Sequence, residues 1–331
     1  MKEQIGVQQG AGTYSESGKA PKKSWLKKHP KIRRALRGWE IYLMLLPVVA
    51  FYLIFSYVPM YGILLAFKDY FPKFGIIGSE WVGFKHFQTF FSDPSMSRAI
   101  RNTLVISSLK IVFCFPIPVI FALLLNEFQH AGYKKGVQTA IYLPNFISWV
   151  IIGGLVRQLF ATSGGLVNNI ITALGGKPIA FLTTPSAFYP LLICLEIWKG
   201  SGWGTIIYIA GVSNIDPTLY EAAIIDGAGR FRRMLSITIP CIMPIIVVSF
   251  INTVGGIMNA GFDPIFNLYN KTVYEVADII DTLVYRLGIT DGNFELSTAI
   301  GLFKTVINFF LVILTNMATK KITGYSMYSF D

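Results

Sequence analysis

Apolar residues collect along this chain in blocks of twenty or more, separated by short polar stretches. The first block runs without a charge from Ile41 to Phe67, longer than the ~20 residues a helix needs to cross a bilayer. Further blocks lie at about 103–125, 137–156, 188–211, 240–261 and 298–317. Long apolar runs can cross lipid as helices because every backbone group is then satisfied within the segment. The six blocks therefore predict an all-α polytopic membrane protein with six transmembrane helices. Met1 to Pro30 is rich in Gly, Ser and Lys, with little to bury, which predicts disorder. The expected division is a basic tail over 1–38, a six-helix transmembrane domain over 39–318 and a second short tail over 319–331. A signal peptide does not fit, because the tail is too long for its charged region and the first apolar run too long for its core.

Composition supports the same solvent. The chain is 53% hydrophobic and 14% charged, with mean hydropathy +0.53, whereas soluble domains are about 25% charged. Charge then sets direction. With the N-terminus inside, the inner segments 1–38, 126–136, 212–239 and 318–331 hold seventeen Lys and Arg, and the outer loops hold nine. Basic residues favour the cytoplasmic side, so both termini and the 212–239 loop are expected in the cytoplasm of a multi-pass plasma-membrane protein. The net charge of +11 then faces anionic head groups and calls for no nucleic acid. Cys114, Cys194 and Cys241 fall in or beside spans without paired spacing, and His29, His86 and His130 are scattered; neither a disulfide framework nor a metal site is expected. The Gly-Lys pairs run into Ala20 and Pro178 and make no phosphate loop. No catalytic residue and no cofactor bound by this chain is expected.

The 212–239 loop breaks the pattern. Between two apolar runs stands a short helix of small and acidic residues, Tyr220-Glu221-Ala222-Ala223-Ile224-Ile225-Asp226-Gly227-Ala228-Gly229, followed by Ile237-Thr238-Ile239-Pro240. Asp216 is placed to cap it and Pro217 suits its first turn. Ala222, Ala223, Gly227 and Ala228 permit close backbone approach to a partner, and Glu221 and Asp226 add fixed negative charge. This spacing resembles the EAA loop of ABC-importer permeases, E-A-A-x-x-D-G-A with I-x-L-P about ten residues on; Ile239 replaces the usual Leu.

The resemblance covers nearly all of the chain from Trp39. Segments such as Tyr57-Val58-Pro59-Met60-Tyr61-Gly62, Trp81-Val82-Gly83-Phe84-Lys85, Tyr142-Leu143-Pro144-Asn145-Phe146 and Ile197-Trp198-Lys199-Gly200 are similar to permeases for oligosaccharides and polysaccharide fragments. It implies a type I importer fold. It also implies a second, homologous but non-identical permease, an extracellular solute-binding protein and two ATPase subunits or domains that hold the ATP and Mg. Tyr220, Glu221, Ala222, Ala223, Asp226, Gly227, Ala228, Ile237 and Pro240 are the residues it assigns to ATPase coupling. An ion-coupled secondary transporter is the alternative, but it would have no use for the Glu221 helix.

A sugar path has candidates inside the spans. Glu196, Lys199 and Lys304 are charges in apolar runs, costly unless paired or wet. Glu196 and Lys199 stand three apart and can meet on a helix as an ion pair or face a cavity, near Gly200, Gly202 and Gly204 where the helix can bend. Lys110 and Lys304 either snorkel or face the partner permease. Asn145, Trp149, Trp198, Trp203, Asn252, Asn259 and Asn308 offer ring platforms and amides for sugar, and equally suit membrane interfaces and interhelical bonds. Trp81, Phe84, Phe87, Phe90 and Phe91 read as an interfacial helix. The acidic loop 262–296, with Asp263, Glu275, Asp278, Asp281, Asp291 and Glu295, reads as a dock for the binding protein or as a solvated face.

Overall fold

The computed structural model describes residues 39–128 and 130–328; the expected disordered tail lies outside them. The chain divides into two compact units at Tyr61/Gly62. The described residues of the first unit form one helix, α1 (Trp39–Tyr52), prolonged by a π turn at Leu53–Tyr57 and a 3-10 stretch from Val58. From Glu40 to Tyr61 every side chain except Ala50 is exposed, the surface of a helix that is apolar all round and suited to a membrane span.

The second unit is almost wholly helical. Its α-helices of six residues or more are α2 (Lys85–Ser92), α3 (Pro94–Leu109), α4 (Pro116–Asn126), α5 (Ala131–Tyr142), α6 (Trp149–Leu159), α7 (Leu166–Ala173), α8 (Pro185–Ser213), α9 (Pro217–Ile225), α10 (Ile239–Gly255), α11 (Phe262–Leu268), α12 (Ile280–Tyr285) and α13 (Phe294–Thr323). A two-residue antiparallel ladder, β1 (Lys68–Asp69) with β2 (Glu80–Trp81), is the one strand pairing among the described residues. Four continuous helical stretches are long and apolar enough to cross a membrane: Glu40–Phe67, Pro94–Asn126, Arg230–Gly255 and Phe294–Thr323. The third predicted span is broken: Ala131–Phe146 and Trp149–Leu159 meet at 96° and make a fifth crossing only if the pair is counted as one. Helix α8 is long enough, about 43 Å at 1.5 Å per residue, but is not among the four that are also sufficiently apolar.

Prolines act in two ways. Pro59, Pro116 and Pro240 each stand two residues after a π turn, at Leu53–Tyr57, Lys110–Cys114 and Met234–Thr238. Proline donates no N–H and its ring crowds the carbonyl four residues back; the wider turn just upstream absorbs that misfit, and the helix continues. At Pro144 the chain does break, in the 3-10 turn Leu143–Phe146, and Ser148 restarts the helix by accepting the Ile151 N–H.

Helix α8 runs through the centre as one uninterrupted 29-residue helix. Its glycines let neighbours close in. A Cβ at Gly202 would lie 1.9 Å from the Ile141 carbonyl oxygen, one at Gly204 3.0 Å from Pro118 Cγ, and one at Gly211 2.3 Å from Ile245 Cδ1. Small residues at such contacts allow backbones to pack in lipid without a hydrophobic driving force.

The aromatic stripe divides. Trp81, Phe84 and Phe91 are exposed, as at an interface, but Phe90 is buried against the Phe303 ring, 5.1 Å away. The 262–296 segment is a packed structure in which Val273, Ala277, Ile279 and Ile280 are fully buried. Buried Asn102 of α3 ties it down by donating to the Glu275 and Asp278 carbonyls, each at 3.0 Å. At the other end α13 runs to Thr323, beyond the boundary expected at 319, until Gly324 stops it in a left-handed conformation.

Candidate functional site

The hairpin between α8 and α10 is built from local signals. Asp216 caps α9 by accepting the Thr218 N–H at 2.9 Å, and Pro217 occupies the first turn. That bond holds the Asp216 carboxyl below the usual carboxylate range. At the other end Gly227 has φ +73°, the Ala228 N–H reaches the Ala223 carbonyl at 2.8 Å and the Gly227 N–H reaches Ile224 at 3.0 Å. This pair of bonds is a Schellman stop. Gly227 is thus set by backbone conformation, and a Cβ there would meet nothing within 4 Å.

Glu221, Ala222, Asp226 and Gly227 are exposed, and Ala223 and Ala228 half-buried. Tyr220 faces inward, its hydroxyl 2.8 Å from Oγ1 of buried Thr238. Ile237 and Pro240 lie in the helical stretch Arg230–Gly255, where they shape the start of a span and stand outside the hairpin tip. Two residues that sequence reasoning missed stand out beside it: Ile225 is 87% exposed and Phe231 71%. Large apolar side chains in a polar loop were the signal.

Charges within the spans form a second cluster, paired otherwise than expected. Glu196 does not meet Lys199. Its carboxylate lies 2.6 Å from the Lys110 ammonium, and that ammonium also donates to the Ala260 carbonyl at 2.8 Å. Lys199 instead donates to the Asn145 and Ile147 carbonyls, both at 2.7 Å, and its ammonium stands 5.8 Å from the Trp149 ring centre. The reason is competition. Both helix breaks leave carbonyls without helical partners, and in a water-poor interior such groups take the nearest donor. Lys304 pairs with Asp281, and Arg286 holds fully buried Asp278 at 2.7 Å. Asp278 and Asp281 are therefore internal ties, which removes two acids from the expected docking face.

The remaining candidates scatter. Asn145 serves through its backbone carbonyl, Trp149 lies partly buried beside Lys199, and Trp203 meets Phe146 edge-on at 6.1 Å. Trp198 is exposed and, two residues from Glu196, points away from the cluster face; Asn252 and Asn259 are exposed as well. Asn308 accepts the Met258 N–H at 3.2 Å, the interhelical bond among its two readings. A cavity of about 350 Å³ opens beside the Lys110–Glu196 pair, lined also by Cys114, Ser201, Tyr208 and Thr253.

Comparison with known proteins places this geometry. The profile of the family described as "Binding-protein-dependent transport system inner membrane component" matches residues 90–324. Protein LplB of Bacillus subtilis is 46% identical over 281 residues, 85% of this chain and 88% of its own length. The polygalacturonan/rhamnogalacturonan transport system permease protein YteP of the same organism is 47% identical over 288 residues, 87% of this chain and 90% of its own. Among solved structures, a chain of a bacterial alginate ABC transporter in complex with an alginate pentasaccharide-bound periplasmic protein superposes with TM-score 0.82 at 41% identity, covering 89% of this chain and 99% of that one. The chain belongs to the inner-membrane permease components of binding-protein-dependent ABC importers, in the branch that imports sugars and polysaccharide fragments, with ATP hydrolysis on a separate subunit.

Proposed function

We propose that this permease is one of a non-identical pair forming the path of an importer for carboxylate-bearing polysaccharide fragments, with six spans and both termini inside. The transmembrane domain is 39–318. Hairpin α9, with Glu221, Ala222, Ala223, Asp226, Gly227 and Ala228, docks into a cleft of a cytoplasmic ATPase that carries the ATP and Mg; Ile225 and Phe231 add apolar contact. The observation that carries the docking is an exposed helix of small residues, capped at both ends, with large apolar side chains exposed beside it. Such a helix gains little from its own fold and is suited to burial against a partner. ATP-driven closure of the ATPase then draws the hairpins together and rocks the spans between inward- and outward-open states. The acidic cargo class is supported by the alginate and polygalacturonan/rhamnogalacturonan named for two relatives above 40% identity.

The test is Ala222→Trp in the assembled importer. Gly227 is a poor site for it, because any side chain there strains a positive φ and confounds docking with folding. Ala222→Trp should leave the chain in the membrane while the ATPase no longer co-purifies and uptake falls at least tenfold. Unchanged ATPase recovery and uptake would refute the docking. Cargo is tested separately, by competition of oligogalacturonate and oligoalginate against neutral oligosaccharides of equal length; equal competition by the neutral sugars would refute the acidic class.

A further inference from the structure

We infer that Lys110 is a positioning residue for transport: its ammonium, neutralised by Glu196, fastens the Ala260 carbonyl and so fixes the break after α10 to the wall of the cavity. Three elements converge on this one group. Lys110 opens the π turn that joins α3 to α4, Glu196 sits in mid-α8, and Ala260 lies in the turn that leads out of α10. The ammonium and carboxylate approach to 2.6 Å as an ion pair without the alignment of a hydrogen bond, whereas the 2.8 Å bond to Ala260 is directed. Charge neutralisation and the carbonyl tie are thus separable roles of one side chain.

The chain around the tie is shaped to admit it. Ala260 is fully buried, so its carbonyl has no ready access to bulk water. Gly261 follows at φ +97°, and a Cβ there would stand 2.7 Å from the Lys110 nitrogen. Asn308 of α13 accepts the N–H of Met258, two residues before Ala260. The break is thus held by side chains from two other elements, and loss of the Lys110 donor releases one of these bonds. Cys114, one turn beyond Lys110, lines the same cavity and reports on it. The inference rests on the chain being a membrane transport subunit, and its labelling readout needs no cargo.

The experiment uses the importer in native membranes, with Cys194 and Cys241 changed to Ala so that Cys114 is the one thiol of this chain. A small hydrophilic methanethiosulfonate is the probe. Lys110→Gln/Glu196→Met keeps an N–H donor at 110 alone and removes both charges; labelling of Cys114 should stay within about twofold of the parent. Lys110→Met/Glu196→Met removes the same two charges and the donor as well; labelling should rise about tenfold and maximal uptake of oligogalacturonate fall in proportion. Equal labelling of these two variants, or fast labelling of the one that keeps the donor, would overturn the inference. If the Met pair fails to accumulate in the membrane, Lys110→Leu/Glu196→Met takes its place in the comparison.

Discussion

Changing Gly200 or Gly202 to alanine makes nearly the same chemical change two residues apart on α8, and the packing predicts opposite signs. At Gly200 a Cβ meets nothing within 4 Å, so Gly200→Ala adds only helix propensity, worth about 0.5–1 kcal/mol. At Gly202 the Cβ would stand 1.9 Å from the Ile141 oxygen and 2.5 Å from the Ile141 carbonyl carbon. Ordinary contact begins at 3.4 Å, so α5 must retreat by about 1.5 Å. The obstructing atoms are backbone, which no rotamer change can move aside. Overpacking of this kind costs about 1–3 kcal/mol or more, and here it levers Asn145 and Ile147, just beyond, away from Lys199. Both variants gain the same helix propensity, so they should differ by the overpacking cost alone, about 1–3 kcal/mol, or on the order of 2–12 °C at about 2–4 °C per kcal/mol. Heating a fluorescent fusion in detergent and measuring the monodisperse fraction by size exclusion reads the difference. Equal midpoints for Gly200→Ala and Gly202→Ala, or a stabilised Gly202→Ala, would refute the close approach of α5 to α8.

Two further tests address charge. Lys304 and Asp281 are mostly buried at 16% and 21% side-chain exposure, so Lys304→Met alone should destabilise by up to about 3–5 kcal/mol, with most of the loss recovered in Lys304→Met/Asp281→Asn; the same heating assay checks it, and an additive double variant contradicts the pairing. The Asp216 carboxyl lies below its ordinary value of 3.8 in the folded chain, so its contribution is complete above that value and is lost as pH falls through the lower folded value. Hydrogen exchange in the 216–226 peptide, corrected for intrinsic rate, should therefore accelerate from about pH 6 to about pH 3, and Asp216→Asn should flatten that dependence. A wild-type profile equal to that of the Asn variant would remove the carboxylate from the cap.

The α9 hairpin was largely legible in the sequence because its signals are local: Asp216 and Pro217 each act within a turn and stand where they were expected, whereas Gly227, read as part of a helix reaching Gly229, ends the helix instead. The partners of Glu196 and Lys199 were not, although both were singled out. Spacing on a helix says which side chains can meet, but not which unsatisfied carbonyls a distant chain break will bring to them. Ala260 and Asn145 carry no mark of that in their identity, since the groups that bind are backbone. Gly202 shows a related limit: a glycine in a helix reads alike in sequence whether it bends the helix or admits a neighbour, and the closeness of Ile141 is seen only in the fold.

The π turn at Lys110–Cys114 changes how this span must be aligned with others. Eighteen residues make about five turns of α-helix and return to the same side. Here Thr103 and Ala122, both fully buried, are nineteen residues apart, and so are Ile106 and Leu125. The extra residue sits in the wide turn, so the two halves of the span are out of phase by one position in sequence yet in phase in space. A homologue lacking one residue between 107 and 115 would keep both inward faces by closing the turn to ordinary α geometry. In such an alignment a one-residue gap inside a membrane span is a legitimate structural event.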